Sequence, residues 1–253
     1  MEDHPRLTSP WAYLLALVAL AAGCEEPRLR PPTAHDQPLA LVAVEPDLAA
    51  PLPYDAELSL TFSDWLDPDL LTFCNALALR SGGAPVAATS RYDFLHRRLF
   101  LVPRRALDPD LSYAVDLQPD ALQSVTGMPY EGPLSLPFST SPEPASTAEA
   151  TPTPTWEDVA PLLAPCGGCH NDPAWQLPPL TPEGMRGQPS AQVPGLSLLQ
   201  PFAPERSYLL HKLAPNYPLT QGETQPPSWS GQAPLRAEDL EVIQRWILAG
   251  APR

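Results

Sequence analysis

Positive charge, methionine and cysteine are all scarce in this chain of 253 residues. Fifteen Lys and Arg face 29 Asp and Glu, for a formal net charge of −14. That balance points away from nucleic acid as a partner, because affinity there comes mainly from cations neutralising phosphates. No apolar run is long enough to cross a bilayer: Trp11 to Ala22 is an unbroken stretch of 12 residues, where about 20 are needed. The 37 prolines argue against long helices, since proline lacks the backbone N–H and clashes with the preceding turn. Nothing in the first half sets titratable groups at a catalytic spacing, and His96, beside Arg97 and Arg98, reads as a surface residue. What is present is a hydrophobic fraction of 43%, enough for a real core in one large domain or two of about 100 residues each.

The apolar run has the size of a signal-peptide core and ends in Leu20-Ala-Ala-Gly-Cys24. Small residues immediately before a cysteine resemble the lipobox of bacterial lipoproteins, although Ala21 stands where that family usually has Leu. The resemblance implies a signal peptide over 1–23, a diacylglyceryl group on Cys24 and a stable lipid anchor in the membrane. Glu25, where an inner-membrane retention signal would have Asp, points to the outer membrane. The alternative is an ordinary cleaved signal peptide that leaves Cys24 a plain thiol. Residues 24–38 are polar, proline-rich and aperiodic, and read as a tether.

From Leu39 the pattern changes to period two. In Glu57-Leu-Ser-Leu-Thr-Phe-Ser63, Leu58, Leu60 and Phe62 share one face. Similar short runs follow at Ala76–Leu79, Arg98–Val102, Ser112–Leu117 and Leu134–Phe138, separated by turn chemistry such as Ser81-Gly-Gly83 and Leu107-Asp-Pro109. This predicts an all-β sandwich over 39–140. The stretches "AVEPDLAAPLPYDAELSLTFSDWLD", "RRLFLVPRRALDPDLSYAVDL" and "PFST" resemble the bacterial Ig-like domains of surface-layer and cell-envelope proteins, which implies a scaffold rather than a chemistry. Tyr113 fits a tyrosine corner, its phenol bonding backbone just upstream. Cys74, in "LLTFCNALAL", reads as a buried strand thiol. Residues 141–155, "SPEPASTAEATPTPT", read as a second linker.

Beyond it, Thr155 is a possible N-cap with Asp158 three residues on, and Val159, Leu162 and Leu163 give a short helix an apolar face that Pro161 must bend or shorten. Cys166-Gly-Gly-Cys-His170 follows. Two thiols three positions apart on a tight turn can add to the two vinyl groups of one porphyrin, and the next histidine then falls beneath the iron; this spacing is the attachment signature of c-type haem. A Cys2His zinc site, a thioredoxin-like redox pair and an inert disulfide loop are the alternatives. Helices are predicted at Ser207–Leu213 and Leu235–Gly250, the latter with Leu240, Ile243 and Ile247 in one stripe and Gly250 at the C′ position.

The segments "PLLAPCGGCH", "PERSYLLHKL" and "LRAEDLEVIQRWILAGA" resemble the cytochrome c-like domains of exported bacterial proteins. That resemblance implies a small all-α domain over 156–253, one covalent haem c on Cys166 and Cys169, and His170 as proximal ligand. The family's distal methionine falls in a "G-x-x-Met-Pro-Pro" segment, but here Gly222-Glu-Thr-Gln225-Pro-Pro227 puts glutamine there. Three candidates for the distal position remain: Gln225, with an amide oxygen or a bridging water; His211, which otherwise reads as a helix-surface residue beside Lys212; and Met185, close in sequence to His170. A weakly ligated or open sixth position is the leading expectation. Trp175, Trp229 and Trp246 are candidates to shield the pocket. The chain is thus expected to be a two-domain, envelope-anchored monohaem cytochrome that passes single electrons to another envelope redox protein. A haem enzyme or gas sensor with an open distal site, and a structural envelope lipoprotein without haem, are the rivals.

Overall fold

A computed structural model describes residues 35–73, 76–145, 151–174 and 177–253. The expected signal peptide, lipidated Cys24, Cys74 and Trp175 lie outside the described residues.

Period-two alternation becomes two sheets. The strands are β1 (Leu41–Glu45), β2 (Leu52–Pro53), β3 (Leu58–Phe62), β4 (Leu77–Ser81), β5 (Ala84–Val86), β6 (Ala88–Asp93), β7 (Arg98–Pro103), β8 (Ser112–Leu117) and β9 (Ser135–Ser141). One sheet runs β1-β3-β7-β6 and the other β2-β9-β8-β4-β5, antiparallel throughout except for the β2–β9 pair. Register keeps like with like: Leu58 opposes Leu101 and Leu60 opposes Leu99, and all four are buried. A slip by one residue would turn this leucine set outward. From the other sheet Leu79, Val115, Leu117 and Phe138 join the same core. Tyr113 closes a tyrosine corner, its hydroxyl accepting from the Asp108 N–H at 3.0 Å and facing the Asp108 carbonyl at 3.4 Å.

The C-terminal third departs from expectation. After helix α1 (Pro68–Phe73) in the sandwich, the described helices are α2 (Trp156–Leu163), α3 (Gly167–His170), α4 (Pro182–Met185), α5 (Tyr208–Leu213) and α6 (Ala237–Leu248). The predicted caps and boundaries form: Thr155 and Asp158 make a capping box, and Gly250 follows the Ala249 C-cap at φ 89°. A small all-α cytochrome c-like domain does not. The longest of these helices has 12 residues, and irregular loops and single 3₁₀ turns join them. Proline is the physical reason: 16 of them lie between 156 and 253, and apart from Pro161 inside α2 and Pro182 at the start of α4 they stand outside the α-helices, which they keep short.

The two-domain expectation is corrected as well, because residues 34–253 form one compact unit. The seam is specific. Gln244 of α6, 4% exposed, donates from Nε2 to Asp93 Oδ1 at 2.8 Å and accepts the Leu95 N–H on Oε1 at 2.9 Å. Phe94, in the turn between β6 and β7 and 1% exposed, inserts its ring among His211, Tyr217 and Trp65. His96, read from sequence as a surface residue, is exposed and sits at the rim of this seam between Asp93 and Glu241. Burial pushes the Asp93 carboxyl up, but hydrogen bonds from Gln244 and Arg98 and the His96 charge outweigh it and hold the group below its ordinary value. Gln244→Ala leaves the Leu95 N–H without its partner in a closed seam. Urea unfolding is expected to show a loss of about 1–3 kcal/mol, larger than for an alanine at exposed Glu238.

Candidate functional site

Helix α2 ends in a 3₁₀ turn (Ala164–Cys166) that passes directly into α3. Cys166 and Cys169, three positions apart, therefore share a helical face, with His170 next in line. Both thiols are free and partly buried. Burial, with the neighbouring Cys169 thiol, pushes the Cys166 pKa up, so this sulfur stays protonated at neutral pH. His170 Nδ1 sits 2.8 Å from the Pro178 carbonyl. A carbonyl only accepts, so Nδ1 carries a proton, and in the neutral ring the lone pair falls on Nε2, which has no hydrogen-bond partner among the described residues. A backbone carbonyl behind a histidine is the arrangement that orients metal-ligating imidazoles.

All three residues open onto one cavity of about 860 Å³, within the usual range for cofactor sites of about 300–1,000 Å³. Its wall is largely apolar, with Leu163, Leu180, Leu198, Leu209 and Leu213 among the lining residues. Gly168 also lines it, and a Cβ there would meet no atom within 4 Å. Cys166, Cys169 and His170 thus border one apolar space with two thiols and an imidazole, although they are not drawn together as a three-ligand metal cluster among the described residues.

The three distal candidates separate. Gln225 and Met185 both line the cavity; Met185 is 1% exposed, so its nearness in sequence to His170 does not keep it off the wall. The Gln225 loop is pinned by its backbone N–H, which donates to the Lys212 carbonyl at 2.7 Å. His211 does not line the cavity, and its reading as a helix-surface residue is corrected: it is 0% exposed. Helix α5 has a different face on each side. Tyr208, Leu209, Lys212 and Leu213 meet the cavity, while the His211 ring stacks on Phe94 at 4.9 Å between centroids and lies 4.3 Å from the Tyr217 ring.

Of the aromatic candidates, Trp229 lines the cavity and is 66% exposed. Trp246 is a core residue, packed on Trp156. Sequence reasoning passed over Lys212, Tyr208 and the Pro178 carbonyl. One signal was there to find: Lys212 is the single lysine of the chain.

No family model matches the chain, and no curated protein matches it. Among solved structures, the surface-layer protein rSbsC(31-844) is similar at 15% identity and TM-score 0.30, over 47% of this chain and 16% of that one. PcoC, a methionine-rich copper resistance protein from Escherichia coli, is similar at 20% identity and TM-score 0.31, over 40% and 94%. The alpha-2-macroglobulin of Escherichia coli gives 21% identity and TM-score 0.32, over 42% and 6%. Likeness at this level carries no argument about this chain.

His211 makes the site's surroundings acid-sensitive. Nε2 donates to the Glu205 carbonyl at 2.9 Å, while Nδ1 is buried with no partner. Burial lowers the pKa to about 4, partly opposed by the Glu205 carbonyl bond. The unfolded chain, with a histidine pKa near 6.5, then binds more protons than the folded one between about pH 4 and 6.5. Stability therefore falls as pH drops through that window, by roughly 3 kcal/mol for a depression of this size. His211→Phe is expected to remove this component, read as the pH slope of the urea midpoint in wild type minus that in the variant. Taking the difference matters because Glu205, held above its ordinary value chiefly by burial, contributes with the opposite sign. An unchanged slope would sink the assignment.

Proposed function

We propose that this chain is an exported, envelope-anchored c-type cytochrome that holds one covalent haem and exchanges single electrons with another envelope redox protein. The observation that carries the reading is the convergence of Cys166, Cys169 and His170 on one apolar cavity, with the Pro178 carbonyl behind the imidazole. The donor set suits the group. Cys166 and Cys169 would hold it through thioether bonds, and His170 Nε2 would be its axial ligand. When bound, haem supplies a reversible one-electron couple at iron. The residues of the chain line the space with leucines and prolines, orient the His170 ring through the Pro178 carbonyl, and include the exposed indole of Trp229. An anchor at Cys24 would keep the protein at the outer membrane, and no helix among the described residues is long and apolar enough to cross a membrane.

Protein matured in a host competent for cytochrome c assembly is expected to give a covalent pyridine-haemochrome spectrum, diminished in Cys166→Ala and lost in the Cys166→Ala, Cys169→Ala double variant. A haem-free wild type, with the two cysteines found as thiols or a disulfide, would return the chain to a structural role in the envelope.

A gas-binding or catalytic haem is the second reading. It draws on His211 being outside the cavity wall, which leaves His170 as the one histidine among the described lining residues, with Met185 and Gln225 the two sequence candidates that remain on the wall. Carbon monoxide added to the ferrous protein separates the two. Rapid, stoichiometric binding accompanies an open position, and slow or absent binding accompanies a closed one. Met185→Leu is expected to leave the rate unchanged if the position is already open and to raise it at least tenfold if the Met185 sulfur occupies it.

A further inference from the structure

The cavity differs from the rest of the molecule in charge. The chain holds 29 Asp and Glu, yet no carboxylate is among the described residues lining the cavity. Besides Cys166, Cys169 and His170, its polar lining among the described residues consists of glutamine, serine and tyrosine side chains and one ammonium, Lys212. That ammonium belongs to the only lysine in the chain, against 14 arginines. It is also held in place: Nζ donates to the Gln221 carbonyl at 2.9 Å and to the Glu223 carbonyl at 2.7 Å, and lies 5.9 Å from the centre of the Tyr208 ring. An ammonium has three protons, so one donor remains after those two bonds. A fixed cation with a spare donor, on a largely apolar lining that holds no carboxylate although the Glu223 charge lies near the ammonium, is a receptor for an anionic group carried on a large apolar body. A carboxylate placed there without a partner would be strongly disfavoured.

We propose that Lys212 pairs with a carboxylate of the group held in the cavity, namely a propionate of the porphyrin; this inference rests on the haem reading above. Lys212 thereby also ties the anionic edge of the group to the Gln221–Gln225 loop, which its backbone carbonyl and its side chain both grip. Removing the charge affects the bound group in two ways. The carboxylate becomes harder to ionise, and once ionised its uncompensated charge favours ferric over ferrous iron.

The test uses the full chain matured with haem: wild type, Lys212→Gln and Lys212→Arg, each checked for covalent haem by pyridine haemochrome and titrated spectroelectrochemically from pH 5 to 9. In Lys212→Gln the pH at which the midpoint potential breaks is expected to rise by about 1–3 units, and the potential above the break is expected to fall. Lys212→Arg keeps the charge and is expected to stay close to wild type. Acetylating Lys212 in the folded, haem-loaded wild type removes the same charge without any refolding step, and is expected to move the break in the same direction. Full haem in all proteins with an unmoved break overturns the proposal. So does an equal displacement in Lys212→Gln and Lys212→Arg, which would assign Lys212 to loop bracing alone. A haem-free wild type overturns the haem reading itself, and this inference with it.

Discussion

Helix α5 is the constraint on which the rest depends. It is six residues long, far below the length at which a helix holds itself together in water, so its position comes from packing rather than propensity. That packing is two-sided. His211, 0% exposed, is enclosed by the rings of Phe94 and Tyr217, and Tyr208, Leu209, Lys212 and Leu213 face the cavity. Neither side can move without the other. The buried, neutral His211 is the cost of this arrangement: one ring nitrogen lacks a partner, a penalty of about 1–3 kcal/mol offset by the aromatic burial around it.

The sandwich is therefore more than a spacer. Its β6–β7 turn supplies Phe94, and Asp93 at the end of β6 and Leu95 in the turn grip Gln244 of α6. Helices α5 and α6 pack against one another, so a single turn of the first half steadies two helices of the second. An uncoupled domain on a proline-rich tether would have to build all of that support itself, from helices that its own prolines keep short.

Local features were legible in the sequence, and long-range ones were not. Alternation in "ELSLTFS" and "SYAVDL" predicts β3 and β8 within a residue, because the signal and the structure have the same two-residue period. The capping box at Thr155 and the Cys-Gly-Gly-Cys-His turn are local too, and their chemistry is written in four or five consecutive residues. Strands β5 and β6 carry weaker alternation, with mixed or largely exposed patterns, and escaped notice. His211 was misread because its neighbour Lys212 suggests a surface helix. The ring that buries it belongs to Phe94, more than 100 residues earlier, and no periodicity reports such a pairing. The all-α expectation failed for a different reason: the motif ends resemble a helical family, but the prolines between them decide what the backbone can form.

The pairing of adjacent residues His211 and Lys212 follows from the helix itself. Successive side chains on a helix are about 100° apart, so a six-residue segment squeezed between a sheet turn and a cavity must give neighbouring positions opposite surroundings. One of the two has to be a group that tolerates full burial, and imidazole does so by remaining neutral. The other can extend a long apolar stem along the wall while its charged end finds carbonyls and a spare direction. Lysine performs that role with a flexible stem and a compact point charge. Burial already lowers its pKa, against the nearby Glu223 charge that raises it. An anion brought into the cavity would act in the same direction as Glu223 and stabilise the charged form, so the affinity of this wall for an anion is built into the same six residues that hold the two halves of the molecule together.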